Sequence, residues 1–545
     1  MQSIIASRFL VALFVTGSLV YFFLLLPSEI GHTLFDDAYM YIRYSQNWLH
    51  GHGFSWNAED GPVYGITSTA YLFLITALLS FMHVSDGMLL TGTSCVAGLL
   101  SCAAMVYLGF LTMQNQLSRT YWLPLLIVPI FLSQSPFKFH CYTGMETTFS
   151  VLLNTLLACG VVITSRKPNQ LNLLLCGLIA YLCYLTRPDV GIYALLFPPL
   201  FLLATDRSLW KYALSYSLGF VLVLAVDCGL KLVLFNDVLP LPFYAKSTGF
   251  YKGYLGVWNQ MEQMLFFLVT VIPFVLIIIN NIVAKHVRQI AAILIPLLIT
   301  VAYLATVTQI MGHNFRYYVP SIPFIVLASF IVLSTPDSTE QKTDASQVVF
   351  YRLLVSFLCL SILISDPIKH KLINLWGHVA IKPQVAYQPK SHYALPVTAS
   401  LPELNWWNAI TTVSDLLKRM PKGIVFAASE HGYISAQVPD ITIIDLVGLH
   451  DRTIAKQGFS ASYILSRQPD IIMLPVKDYS YDLAELLDNQ TLKANYEYYP
   501  GVFDYGIAIA KTSKYFPEIK AVLAADFMQT YSGLKLDDYL ATWTN

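Results

Sequence analysis

Apolar runs long enough to cross a bilayer recur through the first 366 residues and are almost absent after them. In hydrocarbon each backbone polar group must be satisfied within the protein, so runs of ~20 apolar residues fold as spanning helices. Twelve stretches qualify: about 8–26, 66–83, 88–112, 120–135, 147–164, 171–186, 190–204, 212–235, 263–283, 289–308, 318–335 and 349–366. The pair 171–186 and 190–204 is short and split by TRPDVG, as a tight hairpin or one broken helix would be. Only 12% of residues are charged, against roughly 25% in ordinary soluble domains. The chain reads as a polytopic α-helical membrane protein.

Short basic loops set the orientation. SRKPNQ (165–170), DRSLWK (206–211) and KHVRQ (285–289) read as cytoplasmic. Residues 236–262, the loop near 311–317 and the C-terminal part then lie outside. Arg8 keeps the N-terminus inside, which puts the loop 27–65 outside as well. Such ends need an odd number of crossings, so 11 to 13 transmembrane helices are expected. Either one segment between 66 and 164 fails to span, or a further crossing exists. The run from Phe9 to Leu26 exceeds a signal-peptide core and has no small-x-small cleavage site after it, so it reads as a retained first helix.

Two domains are expected: a transmembrane body over 1–366, with its first outer loop at 27–65, and a soluble α/β domain over 367–545. In the latter, GIVFAAS (423–429), TIIDLV (442–447) and DIIMLP (470–475) read as buried strands of a partly parallel sheet, with a helix over 461–468. It has no glycine-rich dinucleotide or phosphate loop. Lys plus Arg and Asp plus Glu both number 33, so no net field argues for nucleic acid. The eight cysteines all lie in or beside apolar segments, without disulfide or zinc spacing.

The stretch LFDDAYMYIRYSQNWLHGHGF (34–54) carries the chemistry. A surface helix over 36–49 would align Asp36, Met40, Arg43 and Asn47 in one row, and Asp37, Tyr41, Tyr44 and Trp48 in a second. A third row, with Phe35, Tyr39, Ile42 and Leu49, would face lipid or protein. The acids could simply start the helix beneath an interfacial aromatic belt. Alternatively, a carboxylate at the bilayer surface can take the proton of an acceptor hydroxyl while the electrophile is a sugar on a lipid phosphate. Cationic or hydrogen-bonding groups should then gather for the departing phosphate. Lys246 and Arg316, beside Tyr244, Tyr317 and Tyr318 on outer loops, suit that role or lipid headgroups. His50, His52 and His313 are potential donors. Glu146 reads as a helix-start acid or a pocket acid. Arg187 and Asp189 flank Pro188 in a turn or face a cavity. Asp227 and Lys231, at i and i+4 in an apolar span, read as a neutralising pair. No metal ligand set is visible and no cofactor is certain, although Asp36 and Asp37 could recruit a divalent cation.

FDDAYMYIRY, GHGFSWN and EDGPVYGITS together resemble the first outer loop of the C-type (GT-C) integral-membrane glycosyltransferases. Within these the chain is most similar to bacterial proteins akin to the mycobacterial terminal arabinofuranosyltransferase. Phe35, Asp36, Asp37, Ala38, Tyr39, Arg43, Tyr44, Gly51, Gly53, Gly65, Thr67 and Ser68 fall on that pattern. Later pieces match in the same order: GMET (144–147), TRPD (186–189), PLPFYAK (240–246), HNFRYYVP (313–320) and ASEHGYIS with IIDLVGLHD. Val63-Tyr64-Gly65 departs from an expected Glu-Gly pair, and HNFRYYVP from a glycine–aspartate–arginine-rich segment.

The resemblance implies a GT-C fold and an inverting transferase of the bacterial inner membrane, with its C-terminal domain periplasmic. The sugar, arabinofuranose first, would move from a polyprenyl phosphate donor to a cell-envelope glycan, lipid or protein. It implies Asp36 as general base with Asp37 the close second. Tyr39, Arg43, Tyr44, Glu146, Arg187, Tyr244, Lys246, His313 and Arg316 would bind donor or substrate. The rival reading is a polyprenyl-lipid or glycolipid transporter. It would show broken or charged helices in two repeated halves, and no such symmetry is visible. A third reading is a silent scaffold presenting the soluble domain.

Overall fold

The computed structural model describes residues 12–13, 15–22, 35–113, 123–133, 135–247, 257–282, 284–307, 309, 312–334, 406–474, 485–499 and 506–530. The expected span at 349–366 and the boundary at 366/367 lie outside the described residues.

Helix α1 is Asp36–Leu49, as the sequence indicates, and α2 is Thr69–Phe81. The body follows with α3 Asp86–Thr112, α4 Thr147–Arg166, α5 Gln170–Thr186, α6 Gly191–Thr205, α7 Trp210–Phe235, α8 Leu241–Ser247, α9 Val257–Asn281, α10 Val287–Thr306 and α11 Ile322–Leu333. Six described helical segments are long and apolar enough to cross a membrane: Asp86–Thr112, Thr147–Arg166, Pro188–Thr205, Arg207–Phe235, Val287–Leu304 and His313–Leu333. The protein is thus a polytopic helical bundle. Along α7, Leu218, Leu222, Val226, Leu230 and Val233 point outward, as a lipid-facing helix requires.

Close packing inside the bundle uses small and hydroxylated residues. The Ser101 hydroxyl of α3 donates to the Thr148 carbonyl of α4, and the Thr148 hydroxyl donates to the Ser94 carbonyl. A Cβ on Gly109 would stand 2.7 Å from the Phe330 ring, so only glycine lets α3 and α11 approach this closely.

One expected span is corrected. The stretch 66–83 forms the 13-residue α2, about 20 Å long at 1.5 Å per residue, too short for a ~30 Å core. Both its ends lie on one side of the bundle. Tyr71 near its start donates to the Gly144 carbonyl, and Asp86, just past its end, accepts from Gln437 of the C-terminal domain. Its apolar face packs with α1 and that domain in one shared core. Removing this segment leaves an odd number of candidate crossings. Within the expected span 120–135 the described residues are helical over Pro124–Leu126 and Ile127–Ser133, and Ser135–Tyr142 is helical as well.

The C-terminal domain holds α12 Trp406–Lys418, α13 Gly432–Gln437, α14 Arg452–Gln457 and a five-stranded sheet in the order β2-β1-β3-β5-β4. The strands are β1 Val425–Ala428, β2 Thr442–Asp445, β3 Ile471–Met473, β4 Tyr496–Tyr499 and β5 Ile507–Ala510. β1 pairs parallel with β2 and β3, and β5 runs antiparallel to β3 and β4. The partly parallel sheet matches the sequence reading. Side chains alternate between its two faces. Ala427 and Ile444 point into the domain's own core. Phe426, Ala428 and Ile443 point into the core shared with α1 and α2.

Candidate functional site

Helix α1 begins where Phe35 is extended and ends at a turn in which Gly51 and Gly53 both take positive φ. Its two leading acids enter different surroundings. Asp36 is buried, and its carboxylate accepts the backbone N–H of Gly432 (2.8 Å) and of Tyr433 (2.7 Å). It therefore occupies the N-terminus of α13, a helix of the other domain. Burial pushes its carboxyl up, against these amides and His431. A Cβ at residue 432 would come within 2.1 Å of the Asp36 carbonyl oxygen, so glycine is required there.

Asp37 is partly exposed, and no described residue hydrogen-bonds its carboxylate. Burial of its surroundings pushes the carboxyl above the usual range. Arg316, Lys246 and His431 pull it down, and Asp36 pushes it further up.

The rest of the Asp36 row also serves the domain junction. Arg43 is buried and donates from Nε to the Trp56 carbonyl (2.9 Å), from Nη1 to Pro439 (2.7 Å) and from Nη2 to Ile441 (3.0 Å). Asn57 exchanges two hydrogen bonds with the backbone of Ile443, both 2.9 Å, and so occupies the free edge of β2. Tyr39 packs edge-on against Tyr433 at 4.9 Å. Tyr44 meets His450 Nδ1 through its hydroxyl (3.1 Å). Tyr39, Arg43 and Tyr44, expected to touch donor or substrate, are instead packed into this junction.

The other expected residues converge around Glu146, which precedes α4 and is buried. Its carboxylate accepts from Arg187 Nη1 (3.1 Å), Arg316 Nη2 (2.8 Å) and the Tyr41 hydroxyl (3.0 Å). Burial pushes Glu146 up, but the two guanidiniums outweigh it and hold the carboxyl at about 2. Arg187 also grips Asp189 through two hydrogen bonds, 3.2 and 2.9 Å. Its guanidinium lies over the Tyr317 ring, and Lys246 Nζ donates to the Tyr317 hydroxyl at 3.0 Å. Arg316 reaches Glu146 because Asn314 and Phe315 both adopt positive φ, 50° and 47°. Such backbone is costly for a bulky side chain and accumulates at functional sites. Arg316 Nε is buried and makes no hydrogen bond.

His313 stands edge-on to Phe35. The Tyr244 ring lies beneath Lys456 of the C-terminal domain. His50 and His52 are exposed at the far end of α1. Asp227 and Lys231 do pair, at 2.6 Å. The Tyr181 hydroxyl donates to Asp227, and Lys231 faces the rings of Tyr184 and Tyr64. Tyr64 is thus one wall of that pair.

Three polar residues of the C-terminal domain escape a reading by spacing. His431, Asp445 and His450 are buried together, all offering ligand atoms within 4.8 Å of one another. Burial pushes His450 down to about 3. Asp445 stays at about 2, because His431 and backbone amides outweigh its burial. The stretches ASEHGYIS and IIDLVGLHD held these residues, but only the pairing of β1 with β2 brings them together.

Residues 402–516 match a family model described as a domain of unknown function, DUF8728. No curated protein matches the chain. Among solved structures the chain is similar to ArnT from Cupriavidus metallidurans, whose crystal structure is of the apo state. Identity is 12% and the TM-score 0.49, over 93% of this chain and 98% of that one.

Proposed function

We propose that the protein is a GT-C-type membrane glycosyltransferase that takes its sugar from a polyprenyl phosphate and delivers it outside the membrane, with Asp37 as general base. The observation that carries this reading is the division between the two acids. Both Asp36 oxygens are engaged by backbone amides, while the Asp37 carboxylate is partly exposed, without a described hydrogen-bond partner and near Arg316 and Lys246. The base assignment therefore moves from Asp36 to its neighbour.

In the reaction an acceptor hydroxyl gives its proton to Asp37 as its oxygen bonds to the anomeric carbon. The bond from that carbon to the phosphate oxygen breaks, and the configuration inverts. The lipid phosphate leaves with one more negative charge than it held as a diester. Lys246, half-buried beside Asp37, is the group that receives it, with the buried Arg316 guanidinium adding its charge from behind. Glu146 and Asp189 anchor Arg187 and Arg316, so they do not depend on substrate for their geometry.

Arabinofuranose is the first sugar to test, and the acceptor is a cell-envelope glycan, lipid or protein on the outer face of the bacterial inner membrane. The test is turnover by purified protein in nanodiscs with synthetic polyprenyl-phosphate sugars. Transfer with an inverted anomer is expected. Failure with every donor, together with movement of those lipids across proteoliposomes, would overturn the reading in favour of transport.

A further inference from the structure

The junction between the first outer loop and the C-terminal domain contains a group of side chains that the transfer reaction does not use. His431, Asp445 and His450 are 0%, 1% and 5% exposed. His431 follows β1, Asp445 ends β2 and His450 lies in the turn after it, so all three sit at the carboxyl ends of two adjacent parallel strands. Trp56 of the outer loop closes the group, stacked on His450 at 3.9 Å and edge-on to His431 at 5.0 Å.

The hydrogen bonding of the group is incomplete in one place. Nδ1 of fully buried His431 has no hydrogen-bond partner, while Nε2 faces Asp445 Oδ1 at 2.9 Å. An imidazole buried in this way costs free energy unless something else occupies its lone pair or its proton. Asp445, by contrast, is rigidly aimed. Its Oδ1 accepts from the amides of Val447 (2.8 Å) and Gly448 (3.1 Å), and its Oδ2 from the amide of His450 (2.6 Å). His450 is oriented too: Nδ1 lies 3.1 Å from Tyr44 Oη, which itself donates to the Val63 carbonyl, so Nδ1 carries the proton and Nε2, 3.2 Å from Met40 Sδ, is the nitrogen left to bind an ion. Outer partners that fix a carboxylate and an imidazole are what a metal site requires.

We propose that His431, Asp445 and His450 bind one divalent transition-metal ion, zinc first, which clamps the C-terminal domain onto α1. Two imidazoles and one carboxylate select zinc-class ions over magnesium or calcium, which prefer all-oxygen shells. The site is structural. It lies beneath Trp56 and joins the domain that holds Asp36 to the loop that carries Tyr44 and Met40. The proposal is independent of the transferase reading, and its test uses no turnover.

The experiment is metal analysis of tag-free, full-length protein in detergent, as isolated and after zinc loading and dialysis. About one zinc per chain is expected in the wild type and in the exposed-site control His52→Ala, with loss in His431→Ala and in His450→Ala. Because those variants could fail to fold, the wild type is also loaded with cobalt. Visible d–d bands without thiolate charge transfer, and imidazole scattering in the X-ray absorption spectrum, are expected. Absence of bound metal, or a sulfur-ligated ion, would overturn the proposal, as would a zinc that survives both substitutions in folded protein.

Discussion

Asp36 and Asp37 are neighbours in sequence, yet they belong to two regions built on different principles. At the junction, charged side chains meet the main chain: Asp36 takes two amides of α13, and Arg43 fills three carbonyls across the loop and the C-terminal domain. Around Glu146, side-chain charges meet one another, with Arg187 and Arg316 sharing one carboxylate. A carboxylate held by fixed amides has little freedom to accept a proton from substrate. One flanked by cations that are themselves anchored can do so without reorganising its surroundings. On the proposed transferase reading, positioning falls to one region and chemistry to the other.

The sharpest way to break this contrast is Asp37→Asn. It should lower kcat by roughly 10²–10⁴-fold, the usual worth of a general base, while thermal stability stays near that of the wild type. If turnover survives, the chemistry lies elsewhere. Next in size is Glu146→Gln, which takes the counter-charge from buried Arg316 and leaves Arg187 with Asp189 alone. It should destabilise the protein by about 3–5 kcal/mol, the usual cost of breaking a buried ion pair, measurable by thermal unfolding in detergent.

Gly432→Ala would drive a methyl into the Asp36 carbonyl. A cost of about 1–3 kcal/mol is expected for such overpacking. It should be read as faster proteolysis at the junction, with the Glu146 region unaffected.

Two pH effects separate the regions further. The Asp37 carboxyl is raised, so its basic form is lost as pH falls through a value above the usual carboxylate range. The acid limb of kcat should fall there, and Lys246→Met should move it higher still, because one lowering charge is removed. The charges facing Asp37 are Arg316, Asp36, Lys246 and His431. Glu146 behaves oppositely, being depressed from an ordinary 4.5 to about 2. Its contribution to stability is present above about 4.5 and lost as pH falls towards 2, which acid unfolding of wild type against Glu146→Gln would reveal.

Much of this architecture was legible from residue patterns. The helix over 36–49, the three strands and the pairing of Asp227 with Lys231 follow from period and spacing. Two things were not legible. Hydropathy cannot tell α2 from a spanning helix, because its apolar residues pack on another domain instead of lipid. Nor can spacing divide Asp36 from Asp37, since the partners of Asp36 arrive from nearly 400 residues away. The same distance hid where Tyr39, Arg43 and Tyr44 pack. Their side chains fit a donor pocket by type but meet the C-terminal domain first.

The most direct test sets Asp36→Asn beside Asp37→Asn in one preparation, measuring turnover and amide exchange over residues 430–437 together. The division between positioning and chemistry predicts that Asp37→Asn abolishes turnover and leaves exchange unchanged. Asp36→Asn should speed exchange at Gly432 and Tyr433 and retain the larger share of turnover. Loss of turnover in Asp36→Asn with slow exchange preserved, and an active Asp37→Asn, would contradict the account.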